Sequence, residues 1–229
     1  MSIANQVWII IAAYNEEKAL PGVLAEFQST PYQVVVVDDG STDATAEVAL
    51  RYPVTLLRHV TNLGQGAALQ TGISYAVLQP GTQAVVTFDA DGQHQVADLP
   101  RLLAPIEAGD VDVCLGSRFL PGAQAIHMPF SRRLMLRGAL ILTRLTSGLR
   151  LTDTHNGLRA FKLPAARQLQ LTYNRMAHAS EILARISERK LRYCEVPVTI
   201  RYTHYSLTKG QSILESVNVL WDMLSARMR

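Results

Sequence analysis

Residues 85–94 read Val-Val-Thr-Phe-Asp-Ala-Asp-Gly-Gln-His and join a strand-like run to two carboxylates. The first four residues are typical of a strand covered on both faces. Asp89 and Asp91 follow directly, and a turn at Gly92 would bring both side chains toward one point. With the amide oxygen of Gln93 they offer the oxygen ligands that Mg²⁺ or Mn²⁺ prefers. A plain surface turn is the alternative, because Asp and Gly are common turn residues.

Strand-like and helix-like segments alternate along the first half of the chain. This alternation predicts an α/β fold with a doubly wound, mostly parallel sheet, followed by a C-terminal α/β elaboration and amphipathic helices. The predicted strands are residues 7–13, 34–37, 54–58, 85–88 and 111–115. The predicted helices are residues 16–29 with Asn15 as the N-cap, 42–51, 67–78 and 96–108.

Polar and acidic residues follow four of these strands. In a doubly wound sheet, ligands bind at the carboxyl ends of the strands, so these residues predict one assembled site. They are Tyr14-Asn15-Glu16, Asp38-Asp39-Gly40, Asp89-Ala90-Asp91 and Gly116-Ser117-Arg118. A dinucleotide-binding dehydrogenase is disfavoured, because the first strand is not followed by Gly-x-Gly-x-x-Gly.

The composition indicates one globular domain. The chain has 229 residues, 48% of them hydrophobic, with a net charge of +3 and a mean hydropathy of +0.09. No basic leader precedes the first apolar run, and no run of about 18 apolar residues exists, so neither a signal peptide nor a membrane-spanning helix is predicted. Cys114 and Cys194 lie in apolar runs and are expected to be buried thiols without a disulfide. We therefore expect a cytoplasmic protein.

A basic region without acids follows the fifth predicted strand. Residues 113–152 contain no Asp or Glu but contain six arginines. Residues 130–150 predict an amphipathic helix that lies on a membrane surface against anionic headgroups. A core helix with arginines at its edges is the alternative. Nucleic-acid binding is disfavoured, because Leu and Ile rather than aromatic stacking residues separate the arginines.

The remaining chain predicts three further elements. Residues 180–190 are predicted to form a helix that carries Glu181, and residues 193–202 an edge or antiparallel strand. Lys209 lies in a polar loop, and residues 213–229 have the apolar spacing of a helix. His155 and His178 are expected to be polar structural residues, with lining of the site as the alternative.

Six short motifs occur in order along the chain. They are Ala12-Ala13-Tyr14-Asn15-Glu16, Val37-Asp38-Asp39-Gly40-Ser41-Thr42-Asp43, Asn62-Leu63-Gly64-Gln65-Gly66-Ala67, Asp89-Ala90-Asp91-Gly92-Gln93-His94, Gly116-Ser117-Arg118-Phe119 and Asp153-Thr154-His155-Asn156-Gly157-Leu158-Arg159. Together they resemble the inverting family-two glycosyltransferases with a GT-A fold. The resemblance is greatest to the dolichyl- or polyprenyl-phosphate mannosyl- and glucosyltransferases, and it spans roughly residues 7–205.

The resemblance implies roles for residues in the first five motifs and for three further basic residues. A divalent ion, Mg²⁺ or Mn²⁺, would be held by Asp89, Asp91 and Gln93, and the implied catalytic residues are Asp89, Asp91 and Arg118. The implied nucleotide-binding residues are Ala13, Tyr14, Glu16, Asp38, Asp39, Gly66, Asp89 and Ala90. The implied acceptor-phosphate residues are Arg118, Arg132, Arg133 and Lys209, since cationic side chains grip phosphate.

The implied activity is metal-dependent transfer of a hexose, with inversion, from a nucleoside-diphosphate sugar to a polyprenyl phosphate. The donor would be of the GDP-mannose or UDP-glucose type. We expect a single domain at 1–229, in which residues 1–118 bind the nucleotide sugar and residues 119–229 bind the acceptor. We expect it at the inner face of the membrane, in contact with lipid or with a membrane partner subunit. Gln65 stands where the family often has Lys, which leaves the donor open.

Two other functions remain open at this stage. An inverting transferase that acts on a sugar hydroxyl, in cell-surface polysaccharide synthesis, would need a carboxylate base, and Glu181 is the candidate. A surface acid on a helix is the alternative interpretation of Glu181. The second function is that of a non-catalytic subunit that binds a nucleotide sugar, which the intact pair of Asp89 and Asp91 disfavours.

Overall fold

The structure, a computed structural model, describes residues 4–174 and 177–202. Lys209 and the predicted helix at 213–229 lie outside the described residues. The strands are β1 (Val7–Ala13), β2 (Gln33–Asp38), β3 (Thr55–Arg58), β4 (Ala84–Asp89), β5 (Val113–Ser117), β6 (Gln124–Ile126), β7 (Arg159–Lys162), β8 (Tyr193–Pro197) and β9 (Thr199–Arg201). The helices are α1 (Leu20–Phe27), α2 (Thr45–Ala49), α3 (Gln65–Ala76), α4 (Leu99–Glu107), α5 (Phe130–Ser147), α6 (Leu163–Ala166) and α7 (His178–Glu188).

A seven-stranded sheet runs in the order β3-β2-β1-β4-β7-β5-β8. All of its neighbouring pairs are parallel except the two that involve β7. Because β1, β2 and β4 share one direction, their carboxyl ends reach the same edge, where Ala12 is paired with Asp89 and Ala13 with Asp38. The predicted α/β fold with a mostly parallel sheet is confirmed.

Helices cover both faces of the sheet, which explains why its strands read as continuous apolar runs. Leu102 of α4 belongs to the core on one face, and Ile182 of α7 belongs to the core on the other. Burial of each such side chain contributes about 1.5–3 kcal/mol. A Cβ at Gly72 would lie 2.3 Å from Cγ2 of Ile10, so the missing side chain lets α3 pack closely on β1.

The first helix begins later than the sequence predicts. α1 begins at Leu20, and Asn15 is not its N-cap, so that prediction is wrong. Asn15 adopts a φ of 53°, and its Oδ1 accepts a hydrogen bond from the backbone N–H of Thr42 at 2.9 Å. The N–H of Glu16 donates to Oγ1 of Thr45 at 2.7 Å. These bonds tie the loop after β1 to the loop after β2, and they replace the helical bonds that residues 15–17 would otherwise make.

Strands β7 and β8 complete the sheet. β7 enters the sheet between β4 and β5 and is antiparallel to both. β8 lies at the edge of the sheet and is parallel to β5. Of the two alternatives predicted for this segment, the edge strand is confirmed and the antiparallel strand is wrong. Cys114 and Cys194 are paired across β5 and β8 as free thiols with their Sγ atoms 3.5 Å apart, and Cys194 is only half-buried.

The predicted arginine-rich helix is present as α5, which Gly148 ends with a φ of 71°. Leu136 and Thr143 are buried against the protein, whereas an opposite face, which we call the exposed α5 face, is open. The exposed α5 face consists of Phe130, Arg133, Leu134, Arg137 and Ile141. Among the helices of the described residues, none has both the length and the apolar character needed to cross a bilayer.

Candidate active site

Asp38 ends β2 as a fully buried carboxylate. Its Oδ1 accepts the N–H of Ser41 at 3.0 Å, and Nε of Arg58 lies 3.0 Å from Oδ2. The Arg58 N–H is not aligned with that oxygen, so the contact is an ion pair, and Oδ2 has no hydrogen-bond donor in the described part of the chain. A buried acceptor of this kind fits an N–H group of a ligand, such as that of a nucleotide base.

Asp39 has a different environment, because both of its carboxylate oxygens accept hydrogen bonds from the protein. Oδ1 accepts from the N–H of Leu63 at 3.0 Å and lies 2.7 Å from Nδ1 of His59, and Oδ2 accepts from the N–H of Gly64 at 2.7 Å. Asp39 therefore anchors the glycine-rich turn before α3. Sequence reasoning missed His59, which also reaches Oγ1 of Thr71 on α3 at 2.9 Å.

The start of α3 is covered by the chain at 172–174. The N–H of Gly66 donates to the carbonyl oxygen of Asn174 at 2.7 Å, and a Cβ at Gly66 would lie 2.0 Å from the carbonyl oxygen of Tyr173. Glu181 holds this segment by accepting the N–H groups of Thr172 and Tyr173, each at 2.9 Å. Glu181 is buried, so the interpretation as a surface acid is wrong. Both of its carboxylate oxygens accept hydrogen bonds from backbone N–H groups of Thr172 and Tyr173.

Asp89 ends β4, and two side chains, those of Gln65 and His94, contact its carboxylate. Nε2 of Gln65 donates to its Oδ1 at 3.1 Å, and Nε2 of His94 lies 2.8 Å from its Oδ2. Burial opposes ionisation of Asp89, but the hydrogen bond from His94 and the charges of His94, His178 and Arg159 outweigh it and hold the pKa of this carboxyl below its usual value. His178 therefore lies close enough to act on the site, which the sequence left open.

Asp91 carries the opposite shift. Burial, the neighbouring Asp89 carboxylate and Glu16 raise the pKa of Asp91 to about 6, against the hydrogen bond from the N–H of Gln93. The surrounding side chains therefore compensate the negative charge of Asp89 but not that of Asp91. A divalent cation fits that deficit, and Asp89, Asp91 and the side-chain oxygen of Gln93 are of the ligand type that Mg²⁺ and Mn²⁺ take. Within the described residues, no three side chains of His, Cys, Asp or Glu converge on a point.

Arg118 follows β5, and its guanidinium group is buried and bonded to several protein groups rather than exposed. Its Nε forms an ion pair with Oδ2 of Asp153 at 2.6 Å, Nη1 donates to the hydroxyl of Tyr202 at 2.6 Å and Nη2 to the carbonyl oxygen of His155 at 2.8 Å. Glu195 accepts the N–H of Asp153 and so braces the same loop. Of the other residues implied for the acceptor phosphate, Arg133 is exposed on α5. The side chain of Arg132 and the whole of Lys209 are not among the described parts of the structure.

Two residues of the sixth motif, Gly157 and Arg159, were given no role from the sequence. A Cβ at Gly157 would lie 2.2 Å from Oδ2 of Asp89, so only glycine lets this loop lie against the carboxylate. Arg159 begins β7, is 4% exposed and donates from Nε to the carbonyl oxygen of Asn156 at 2.9 Å. The available signal was an arginine inside the otherwise apolar run at 158–161.

The architecture is that of the GT-A fold. Glucosyl-3-phosphoglycerate synthase from M. tuberculosis aligns with a TM-score of 0.71 and 19% identity, over 96% of this chain and 80% of that one. The same synthase in complex with Mn²⁺ and UDP-glucose aligns with a TM-score of 0.69 and 18% identity, over 93% of this chain and 74% of that one.

The family follows from the sequence match. Residues 8–169 match the model of Glycosyl transferase family 2, and the chain belongs to that family of glycosyltransferases. It is 31% identical to a UDP-N-acetylglucosamine–dolichyl-phosphate N-acetylglucosaminyltransferase of Methanococcus voltae, over 97% of this chain and 96% of the relative. It is 32% identical to an undecaprenyl-phosphate mannosyltransferase of Micrococcus luteus, over 97% of this chain and 99% of the relative.

Proposed function

We propose that this glycosyltransferase moves a hexose from a nucleoside-diphosphate sugar to a polyprenyl phosphate, with inversion and with a divalent cation at Asp89, Asp91 and Gln93. The carboxylates at the end of β4, Asp89 and Asp91, carry the proposal, because the negative charge of Asp91 is not compensated by the protein. Two relatives are named for transfer to dolichyl or undecaprenyl phosphate, which supports the acceptor class. The structural neighbour that holds Mn²⁺ and UDP-glucose supports the donor class and the cation.

The nucleotide is assigned to the edge where β1, β2 and β4 end. The buried carboxylate of Asp38, whose Oδ2 is ion-paired with Arg58, is assigned to accept an N–H of the base, and the base is uracil or guanine. Asp39 acts through the glycine-rich turn that it anchors. The assigned residues are Ala13, Tyr14, Glu16, Asp38, Asp39, Gly66, Asp89 and Ala90.

The acceptor needs to be held rather than deprotonated. A phosphate monoester has its second pKa at about 6, so its oxygen is already anionic at neutral pH and attacks the anomeric carbon without a general base. The hydrogen bonds that engage Glu181 agree with a reaction that uses no base there. When bound, the cation neutralises charge on the departing diphosphate. Arg132, Arg133 and Lys209 are assigned to the acceptor phosphate, and Arg118 supports that part of the site through its bonds to Asp153 and Tyr202.

The acceptor is a membrane lipid, so the protein has to meet a bilayer. We assign residues 1–118 to the donor, residues 119–229 to the acceptor and the exposed α5 face to the inner leaflet. Its apolar side chains would enter the interface while Arg133 and Arg137 meet anionic headgroups. Docking onto a membrane partner subunit is the other way to reach the lipid.

The test is a transfer assay with purified protein, Mn²⁺, a panel of radiolabelled UDP- and GDP-sugars, and polyprenyl phosphate in detergent. We expect label in the lipid fraction with at least one donor. Asp91→Asn should lose the activity by about a hundredfold or more, because the cation is worth several kcal/mol to the transition state.

The matched control is Asp110→Asn, which removes an exposed carboxylate on the surface and should leave the rate unchanged. Label in an oligosaccharide with none in the lipid would instead identify a transferase that acts on a hydroxyl. Full activity of Asp91→Asn would contradict the assignment of the cation.

A further inference from the structure

Arg159 lies at the junction of the donor and acceptor halves. It is paired with Thr87 of β4 on one side and with Leu115 of β5 on the other. Side chains of directly paired residues share a face of the sheet, and so do residues two apart along a strand. Arg159 therefore projects from the same face as Asp89, which stands two residues beyond Thr87. The metal-binding pair and the Arg118 loop flank this position.

Arg159 is a buried cation that lacks a full set of partners. It is 4% exposed, yet within the described residues it makes one side-chain hydrogen bond, from Nε to Asn156, and no ion pair. Arg118, which is similarly buried, has an ion pair and two further hydrogen bonds. Buried guanidinium groups are normally paired, because removing the charge from water is costly. Among the described residues, none accepts a hydrogen bond from Nη1 or Nη2 of Arg159.

The charge of Arg159 persists at neutral pH. Burial lowers the pKa of Arg159 to about 10, and the carboxylates of Asp89 and Asp153 act in the opposite direction. These two acids belong to different parts of the site, since Asp89 is on the donor side and Asp153 holds Arg118. An anion that reaches the Arg159 guanidinium would meet a fixed positive charge and its two N–H donors, Nη1 and Nη2.

We propose that Arg159 is a further residue that binds the acceptor phosphate, through Nη1 and Nη2. This assignment rests on the proposed function. The donor diphosphate has the cation at Asp89 and Asp91, whereas a second anion that approaches it needs a positive charge of its own. Arg118 gives its side-chain donors to Asp153, Tyr202 and His155. Arg159 offers the planar pair of N–H groups that matches a phosphate.

Direct binding tests the proposal apart from catalysis. The probe is farnesyl phosphate, titrated into metal-free protein by calorimetry, with farnesol as the probe that lacks phosphate. We expect Arg159→Gln to weaken binding of farnesyl phosphate by about tenfold or more and to leave farnesol unchanged. Arg159→Lys keeps the positive charge but loses the planar guanidinium group, so it should weaken binding of farnesyl phosphate by about threefold or more. Arg51→Gln, an exposed arginine on the surface, is the matched control.

Folding controls and nucleotide binding show whether a loss of affinity in the Arg159 variants is specific to the acceptor phosphate. Circular dichroism and thermal unfolding establish that each variant is folded, and if Arg159→Gln is not folded, Arg159→Lys decides. Unchanged affinity for farnesyl phosphate in the folded variants overturns the proposal. Loss of UDP or GDP binding with Mn²⁺, with farnesyl phosphate unaffected, also overturns it, because Arg159 would then serve the donor. The transfer assay separately decides the proposed function, since phosphate binding at Arg159 can be measured whether or not lipid is labelled.

Discussion

At the scale of single residues, the charge of Asp91 links the site to stability. Burial and the Asp89 carboxylate raise the pKa of Asp91 to about 6 in the folded protein. The stabilisation from protonated Asp91 is complete below the unfolded-state pKa and is lost as pH rises through about 6. Metal-free Asp91→Asn should therefore be about 1–3 kcal/mol more stable than wild type at pH 7.5, and the difference should shrink by pH 4.5. Urea unfolding in chelator at both pH values measures this.

The same carboxylate predicts how cation binding depends on pH. Mn²⁺ competes with the proton on Asp91, so wild-type affinity should fall by up to about tenfold per pH unit below pH 6. Calorimetry at pH 5 and pH 7 measures the affinity, with Asp110→Asn as the control for loss of a surface charge. An affinity that does not change between these pH values would contradict the role of Asp91.

Gly157 makes a second prediction at this scale. In Gly157→Ala, the new Cβ would meet Oδ2 of Asp89 at 2.2 Å, so the carboxylate or the loop has to move. We expect transfer activity to fall by about tenfold or more, since a misplacement of about 1 Å can have that effect. Gly22→Ala is the control, because nothing lies within 4 Å of that position in α1 and helix propensity should add up to about 1 kcal/mol of stability. Equal activity of the two variants would count against the contact.

At the scale of elements, Glu181 of α7 fastens the segment at 172–174 over the start of α3. Glu181→Ala would leave the N–H groups of Thr172 and Tyr173 without their acceptor and should destabilise the fold by about 1–3 kcal/mol. Hydrogen exchange at Thr172, Tyr173 and Gly66 should accelerate together, because Gly66 donates to Asn174 in the same segment. A catalytic base would give a different result, with a large loss of turnover but unchanged stability and exchange.

The α5 helix carries a separate prediction. Leu134 and Ile141 are 63% and 61% exposed, so changing both to Glu should leave the melting temperature nearly unchanged. The double variant should bind anionic vesicles about tenfold more weakly or worse, because it replaces interfacial apolar area by negative charge. Vesicle co-sedimentation measures this, and Leu78→Glu, on a residue that is 80% exposed at the end of α3, is the control. Equal binding of wild type and the double variant would exclude this face.

At the scale of the whole molecule, ligand binding should raise the stability of the cooperative fold. A nucleotide with Mn²⁺ at about 100 times its dissociation constant adds about 2.7 kcal/mol, which corresponds to a rise of about 5–10 °C in a domain of this size. Thermal unfolding with UDP and with GDP measures the shift and identifies the base. If neither nucleotide shifts the melting temperature with Mn²⁺, the assignment of the donor site is wrong.

Much of the architecture follows from local patterns. Apolar runs such as 34–37 predict buried strands, their alternation with helices predicts the parallel sheet, and the residues after each strand predict the edge where the site lies. Ala12 and Asp89 meet there because strand direction and register bring them together. These predictions succeed because hydrophobic periodicity can be recognised within a short stretch of sequence, and the alternation of strands with helices predicts the strand direction.

Contacts over long sequence distances were decided only by the tertiary structure. The insertion of β7 places Arg159 beside Thr87, and Asn15 takes Thr42 as its partner instead of capping a helix. Glu181 bonds to the segment at 172–174 because its side chain is buried there. The spacing of apolar residues along a helix does not show that an acidic residue is buried. Local spacing determines which residues share a strand or a helix face, but the choice of partner depends on packing and desolvation across the whole fold. The chain by itself therefore determined the sheet, its acidic edge and the family, and folding decided which polar groups there are already bonded and which are left for a ligand.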